Sequence, residues 1–197
     1  SPWAKAQLSQ YLETMEKYGV QKAVLQPTND PYMYYPARQT NEFLADILKA
    51  YPGRFFAFAD INLNGSYLLD EAPRELEYAI RELGLHGLKI HPSNLNLDAD
   101  DLRLVPLLRK AAELDIPVMF HGNPCMTGFH DNCAPDKINK MIKVFPDITF
   151  ITAHMGGVKY LDAWSGCSWV DMSFVLPEFV DLFGMEQTNR ILRMFGA

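Results

Sequence analysis

The sequence holds few cysteines, no long apolar run and no excess of basic charge. Cys125, Cys133 and Cys167 are the only cysteines in 197 residues. Three cannot all pair within one chain, and none forms a CxxC, so they read as free thiols in a reducing, cytoplasmic compartment. No apolar run approaches the roughly 20 residues of a transmembrane helix. The opening Ser1-Pro-Trp-Ala-Lys5 lacks the pattern of a secretory leader. Lys and Arg number 18 against 24 Asp and Glu, a net charge of −6, and no basic stripe argues for a nucleic-acid surface. Neither GxGxxG nor GxxxxGK[ST] follows the first apolar strand, which removes the best support for nucleotide binding. Linkers and low-complexity stretches are also missing, so residues 1–197 read as one domain burying roughly 70% of its unfolded surface.

What remains is a regular alternation. Helices are expected over residues 3–18, with Leu8, Leu12, Met15 and Tyr18 at helical spacing, and then over 41–51, 71–83, 99–114 (N-capped by Asp98), 136–145 and 176–183. A single helical turn is expected at 158–163. Between them lie short apolar strands at 22–26, 54–61, 87–91, 117–121, 148–154, 168–174 and 190–195. Strands apolar on both faces, joined by helices, imply a parallel sheet covered by helices. Either a (β/α) barrel or an open doubly wound sheet satisfies this. A complete (β/α)₈ barrel has eight strands and typically ~250 residues. The seven strands fall short of it by one strand at the front and one helix at the back.

Two histidines stand out. His121 ends Pro117-Val-Met-Phe-His121 and His154 ends Ile148-Thr-Phe-Ile-Thr-Ala-His154, each at a strand tip beside glycine. In a barrel that is the rim where ligands and catalytic groups gather. Alternate strand residues share a face. Leu88 and Ile90 are therefore expected to face the helices, with Lys89 and His91 facing inward. The same parity points Met119 and His121 inward on the next strand, and Phe150, Thr152 and His154 inward on the one after.

Burying a lysine and several imidazoles costs several kcal/mol unless charge, metal or hydrogen bonds compensate. Neutral imidazoles are common ligands of zinc and related ions. His121 and His154 are thus candidates for a metal ligand or a catalytic base. Lys89, His91 and Asn123 are the candidate substrate contacts. The plain alternatives are hydrogen-bonded core histidines, a Lys89 paired with Asp171, and a His91 that only shapes the loop before Pro92. His86 and His130 read as surface loop residues. Cys125 and Cys133, flanking the loop after His121, read as incidental thiols, and the aromatic loop 31–36 as an exposed segment rather than a lid.

Taken together, Gly87-Leu-Lys-Ile-His-Pro92, Ile116-Pro-Val-Met-Phe-His-Gly122 and Ala153-His-Met-Gly-Gly157 resemble the amidohydrolase superfamily. The nearest branch is amidohydrolase-2, to which aminocarboxymuconate semialdehyde decarboxylase and several lactone hydrolases belong. Tyr51-Pro-Gly-Arg-Phe55 and Asn189-Arg-Ile-Leu-Arg-Met-Phe-Gly196 match in order. The resemblance implies a distorted TIM barrel with a divalent metal, zinc by expectation, held by His121 and His154. Members of the branch also use an HxH pair after strand one and an aspartate after strand eight; the first has no counterpart here, and the second would follow Ala197, as in a chain truncated at both ends. The implied activity is hydrolysis of a small amide, ester or lactone by metal-activated water, with Lys89 holding a substrate carboxylate. A metal-dependent decarboxylase or hydratase of a small carboxylic acid is the alternative, and a non-catalytic binding protein on a barrel without its metal is a second. The expected partner is a small-molecule substrate, with no nucleic acid, no membrane, and association into a homodimer left open.

Overall fold

The computed structural model describes residues 2–29, 36–61, 71–122, 131–157 and 169–194, with side chains from Gln7 onward. Its helices and strands alternate in chain order: α1 (Pro2–Lys17), β1 (Ala23–Leu25), α2 (Ala37–Ala50), β2 (Phe55–Ala59), α3 (Ala72–Arg81), β3 (Gly87–Ile90), a short α4 (Pro92–Leu95), α5 (Val105–Glu113), β4 (Val118–Phe120), α6 (Pro135–Val144), β5 (Phe150–Thr152), β6 (Trp169–Val170) and α7 (Leu176–Met194). The six described strands form one parallel sheet in the order β1-β2-β3-β4-β5-β6. Strict sequence order, with helical crossovers between the first five strands, is the winding of a (β/α)₈ barrel, of which six strands are described.

The two faces of the sheet bury different residues. Ala57, Ala59, Leu88, Ile90, Val118, Phe120 and Phe150 pack outward against Leu44, Leu76, Leu107, Leu108 and Ile138 of the helices. Facing the other way, Phe58, Met119 and Ala153 form a separate apolar layer, with Ile151 against it. Gly87 makes that layer possible: a Cβ there would lie 2.8 Å from the Phe58 ring and 2.9 Å from the Pro117 carbonyl. Met15 of α1 packs with Ile47 and Phe55 in a small satellite, joined by Leu8 and Leu12, whereas Tyr18 is exposed.

Three sequence expectations change. The strand expected at 190–195 is helical through Met194. Thr188 and Ile191 are buried three residues apart, a helical spacing, and the segment follows a break at Gly184, whose φ is 72°. Two strands of an eight-stranded barrel, not one, therefore lie outside the described set. The helix expected from Ala99 begins only at Val105, after a 3₁₀ turn (Leu102–Leu104) capped by the Asp101 side chain. Asp98 instead binds the Lys137 ammonium at 2.8 Å. Thirdly, Phe150 and Thr152 do not point inward. Phe120 pairs with Thr152 in register, the Phe120 and Phe150 rings stack, and Phe150 belongs to the outer core. The turn expected at 158–163 lies outside the described residues.

Candidate functional site

The carboxyl ends of β3, β4 and β5 bring three imidazoles together. His91 and His121 follow β3 and β4 directly, and the His121 N–H donates to the Ile90 carbonyl at 2.9 Å. Their rings stack with centroids 3.7 Å apart. His154 meets His121 edge-on, with centroids 4.9 Å apart and ring planes at 71°. Since β5 is turned so that Thr152 faces outward, simple alternation would not deliver His154 here. Two consecutive left-handed residues do so, His154 with φ 60° and Met155 with φ 52°.

Hydrogen bonds fix which nitrogen of two rings carries the proton. His154 Nδ1 lies 2.8 Å from the Ser173 carbonyl oxygen, which only accepts, so Nδ1 donates and Nε2 keeps its lone pair. His91 is the reverse. Its Nδ1 accepts from the Asn94 N–H at 3.3 Å, which puts the proton of the neutral ring on Nε2. His154 is therefore built to offer a lone pair and His91 to offer a proton. Burial, reinforced by His91, Lys89 and His154, pushes the His121 pKa down to about 2, so that ring is neutral near pH 7.

Lys89 is buried on the inward face of β3, as its parity requires. Among the described residues its Nζ reaches the Ile90 carbonyl, at 3.5 Å, and no described carboxylate pairs with it. Burial lowers its pKa to about 8, partly offset by Cys133 and Asp171. The pairing with Asp171 does not form; that carboxylate accepts from the backbone N–H groups of His154 and Ser173 instead. Cys133 is buried with its thiol pKa pushed up to about 11, chiefly by burial, which keeps it protonated and unlike a nucleophile. His86 is exposed, as expected, but its Nδ1 accepts from the Ala57 N–H. Asn123, Cys125, His130, Cys167 and the loop 31–35 lie outside the described residues. Among the described residues no group of three or more His, Cys, Asp or Glu side chains gathers as a metal-holding set.

A second polar group completes the rim and had no motif to announce it. Asn29, buried and left-handed at φ 50°, donates its amide to Asp60 Oδ1 and accepts from the His91 N–H at 2.7 Å. Asp60 follows β2, and burial raises its pKa. Asn41 holds the backbone of Asp60 from α2. The signal available in the sequence was position alone: polar residues just beyond the strand tips of a barrel.

Comparison with known proteins places this rim in context. A family model described as Amidohydrolase matches residues 4–192. The chain belongs to the amidohydrolase family. This amidohydrolase is accordingly an enzyme of the superfamily and has the incomplete (β/α)₈ architecture described above. No curated protein sequence matches it. Among solved structures, 2,6-dihydroxybenzoate decarboxylase from Rhizobium is similar, with a TM-score of 0.69 and 18% identity over 94% of this chain and 72% of that one. A dihydroxybenzoic acid decarboxylase from Polaromonas, with bound manganese and the inhibitor 2-nitroresorcinol, gives 0.64 and 19% over 94% and 71%. The 4-oxalomesaconate hydratase from Rhodopseudomonas palustris gives 0.60 and 19% over 94% and 53%. At these identities the likeness is one of fold. No described helix of this amidohydrolase is long and apolar enough to cross a membrane.

Proposed function

We propose that this amidohydrolase is a divalent-metal-dependent enzyme acting on a small carboxylic acid or its derivative, with His121 and His154 as metal ligands. The observation that carries the reading is the disposition of those two rings. Two imidazoles on one ion, with metal–nitrogen bonds of about 2.0–2.1 Å and tetrahedral or octahedral angles, place their centroids about 5 Å apart. The rings here are 4.9 Å apart. The His154 proton sits on Nδ1 against a backbone carbonyl, the arrangement that metal-bound histidines usually adopt. The neutral state of His121 suits the same role. These two residues supply part of a donor set.

A divalent ion in this position supplies Lewis-acid chemistry toward a substrate carbonyl or carboxylate. The chain's own groups do the rest. Lys89, a buried cation with no described carboxylate on it, binds an anionic group of the substrate and orients it. His91 donates from Nε2 to a substrate oxygen. Asn123, two residues beyond His121, contributes a further polar contact. Hydrolysis of an amide, ester or lactone is the reaction this arrangement suits best, because Lys89 favours a carboxylate that stays charged throughout. Decarboxylation is the second reading, favoured by the similarity to the Rhizobium and Polaromonas decarboxylases. Zinc and manganese are the candidate ions, the second being the one bound in the Polaromonas structure.

The test is metal analysis of the purified protein for zinc, manganese and iron. It is combined with turnover of a panel of small carboxylic acids, esters and lactones before and after chelation. Stoichiometric metal with chelator-sensitive turnover is expected, and carbon dioxide release against a new carboxylate product separates the two reactions. Protein that takes up neither ion and turns over nothing would overturn the proposal.

A further inference from the structure

Asp171 bonds to four backbone groups on the two segments that set the His154 ring, those of Thr152, His154, Met155 and Ser173. Its Oδ2 accepts from the His154 N–H at 3.3 Å, and its Oδ1 from the Ser173 N–H at 2.7 Å. Its own N–H donates to the Thr152 carbonyl at 3.0 Å, and its carbonyl accepts from the Met155 N–H at 2.9 Å. The segment so clamped, Thr152 to Met155, contains the two adjacent left-handed residues that turn His154 into the site. Left-handed backbone at a residue other than glycine is unfavourable and persists only where its surroundings over-determine it. Ser173, oriented by the same carboxylate, presents the carbonyl that takes the His154 Nδ1 proton.

We infer that Asp171 is a positioning residue: its carboxylate holds the left-handed turn and aims the Ser173 carbonyl, fixing His154 in the Nδ1–H tautomer with Nε2 presented to the site. Its consequence for metal binding rests on the reading of His154 as a ligand. The tautomer itself does not. Nothing in this role needs Asp171 to touch substrate or metal, and its carboxylate oxygens are spent on backbone N–H groups rather than on Lys89.

The experiment is long-range ¹H–¹⁵N correlation spectroscopy on metal-free protein carrying ¹⁵N-histidine, at pH 8, with the His154 signals identified by loss in His154→Gln. Wild type and Ser173→Ala, which keeps the carbonyl, are expected to show Nδ1–H at His154. In Asp171→Ala the Nδ1–H to Nε2–H ratio falls by about tenfold or more, as expected when the acceptor that selects one form is released. Asp171→Asn, which keeps one acceptor oxygen and the shape, lies between and serves as the reference if the alanine variant does not fold. An unchanged ratio in a folded Asp171 variant overturns the inference. In parallel, the Mn²⁺ affinity by calorimetry is expected to weaken about 10–100-fold in Asp171→Ala. A tautomer shift in a protein whose wild type binds no Mn²⁺ would refute the metal reading and leave the positioning role standing.

Discussion

The His91 and His121 rings lie 3.7 Å apart and within 17° of parallel. Two imidazolium cations at that separation would repel strongly, and the Lys89 charge adds to the cost, so together with burial they hold the His121 ring neutral. This makes the site sensitive to acid before any ligand is considered.

In metal-free protein, the folded-state pKa of His121 is about 2 against an ordinary 6.5. The unfolded chain therefore binds more protons between those values. The group costs nothing above about pH 6.5, and stability falls as pH drops below it. Near pH 5 the loss from this residue alone is about 2 kcal/mol. Urea unfolding of wild type and His121→Asn between pH 5 and 8 checks this: the variant should show the shallower decline.

Lys89→Met is expected to stabilise the fold by about 1–3 kcal/mol near pH 7, since it replaces a buried, poorly compensated cation with an apolar chain of similar length. The sign follows from a pKa lowered to about 8. The cost of burying the charge is fully present below that value and is relieved as pH rises through 8 toward 10.5. The same substitution should raise KM for a carboxylate substrate at least about tenfold. Thermal melts and steady-state kinetics separate the two effects.

His154→Ala is expected to abolish stoichiometric metal binding while leaving the fold intact, because the ring is only partly buried. Saturating Mn²⁺ at about 100 times its Kd should stabilise wild type by about 2.7 kcal/mol. The variant should show no such gain in a thermal shift assay. Full metal occupancy in the variant would count against the site.

Gly122→Ala should destabilise by about 1–3 kcal/mol. The new methyl would collide with Thr152 Cγ2 and lie 2.6 Å from the Ala153 carbonyl, both on the strand end that carries His154. Loss of metal affinity alongside stability, measured by calorimetry, is the expected signature.

The sequence exposed much of this fold because its apolar runs and glycines sit where a parallel sheet needs them. The inward placement of Lys89 and Met119 followed from alternation alone. His154 reached its place for a different reason. Alternation from Phe150 predicts the correct destination through the wrong geometry, since β5 faces the other way and the left-handed pair compensates. Backbone of that kind leaves no mark in a residue pattern. The segment at 190–194 misled because Ile191, Leu192 and Met194 suit a buried strand as well as one face of a helix, a known ambiguity of short apolar runs. Asn29 stayed hidden, and Asp171 was read only as a partner for Lys89, because each works through hydrogen bonds to backbone groups distant in sequence.

Asn29 has one more implication. A single carboxamide, itself anchored in left-handed backbone, is bonded to the residues that follow both β2 and β3. Substitutions at Asp60 and His91 will therefore behave epistatically: exchanges made one at a time should look worse than the same exchanges made together with a compensating change at position 29.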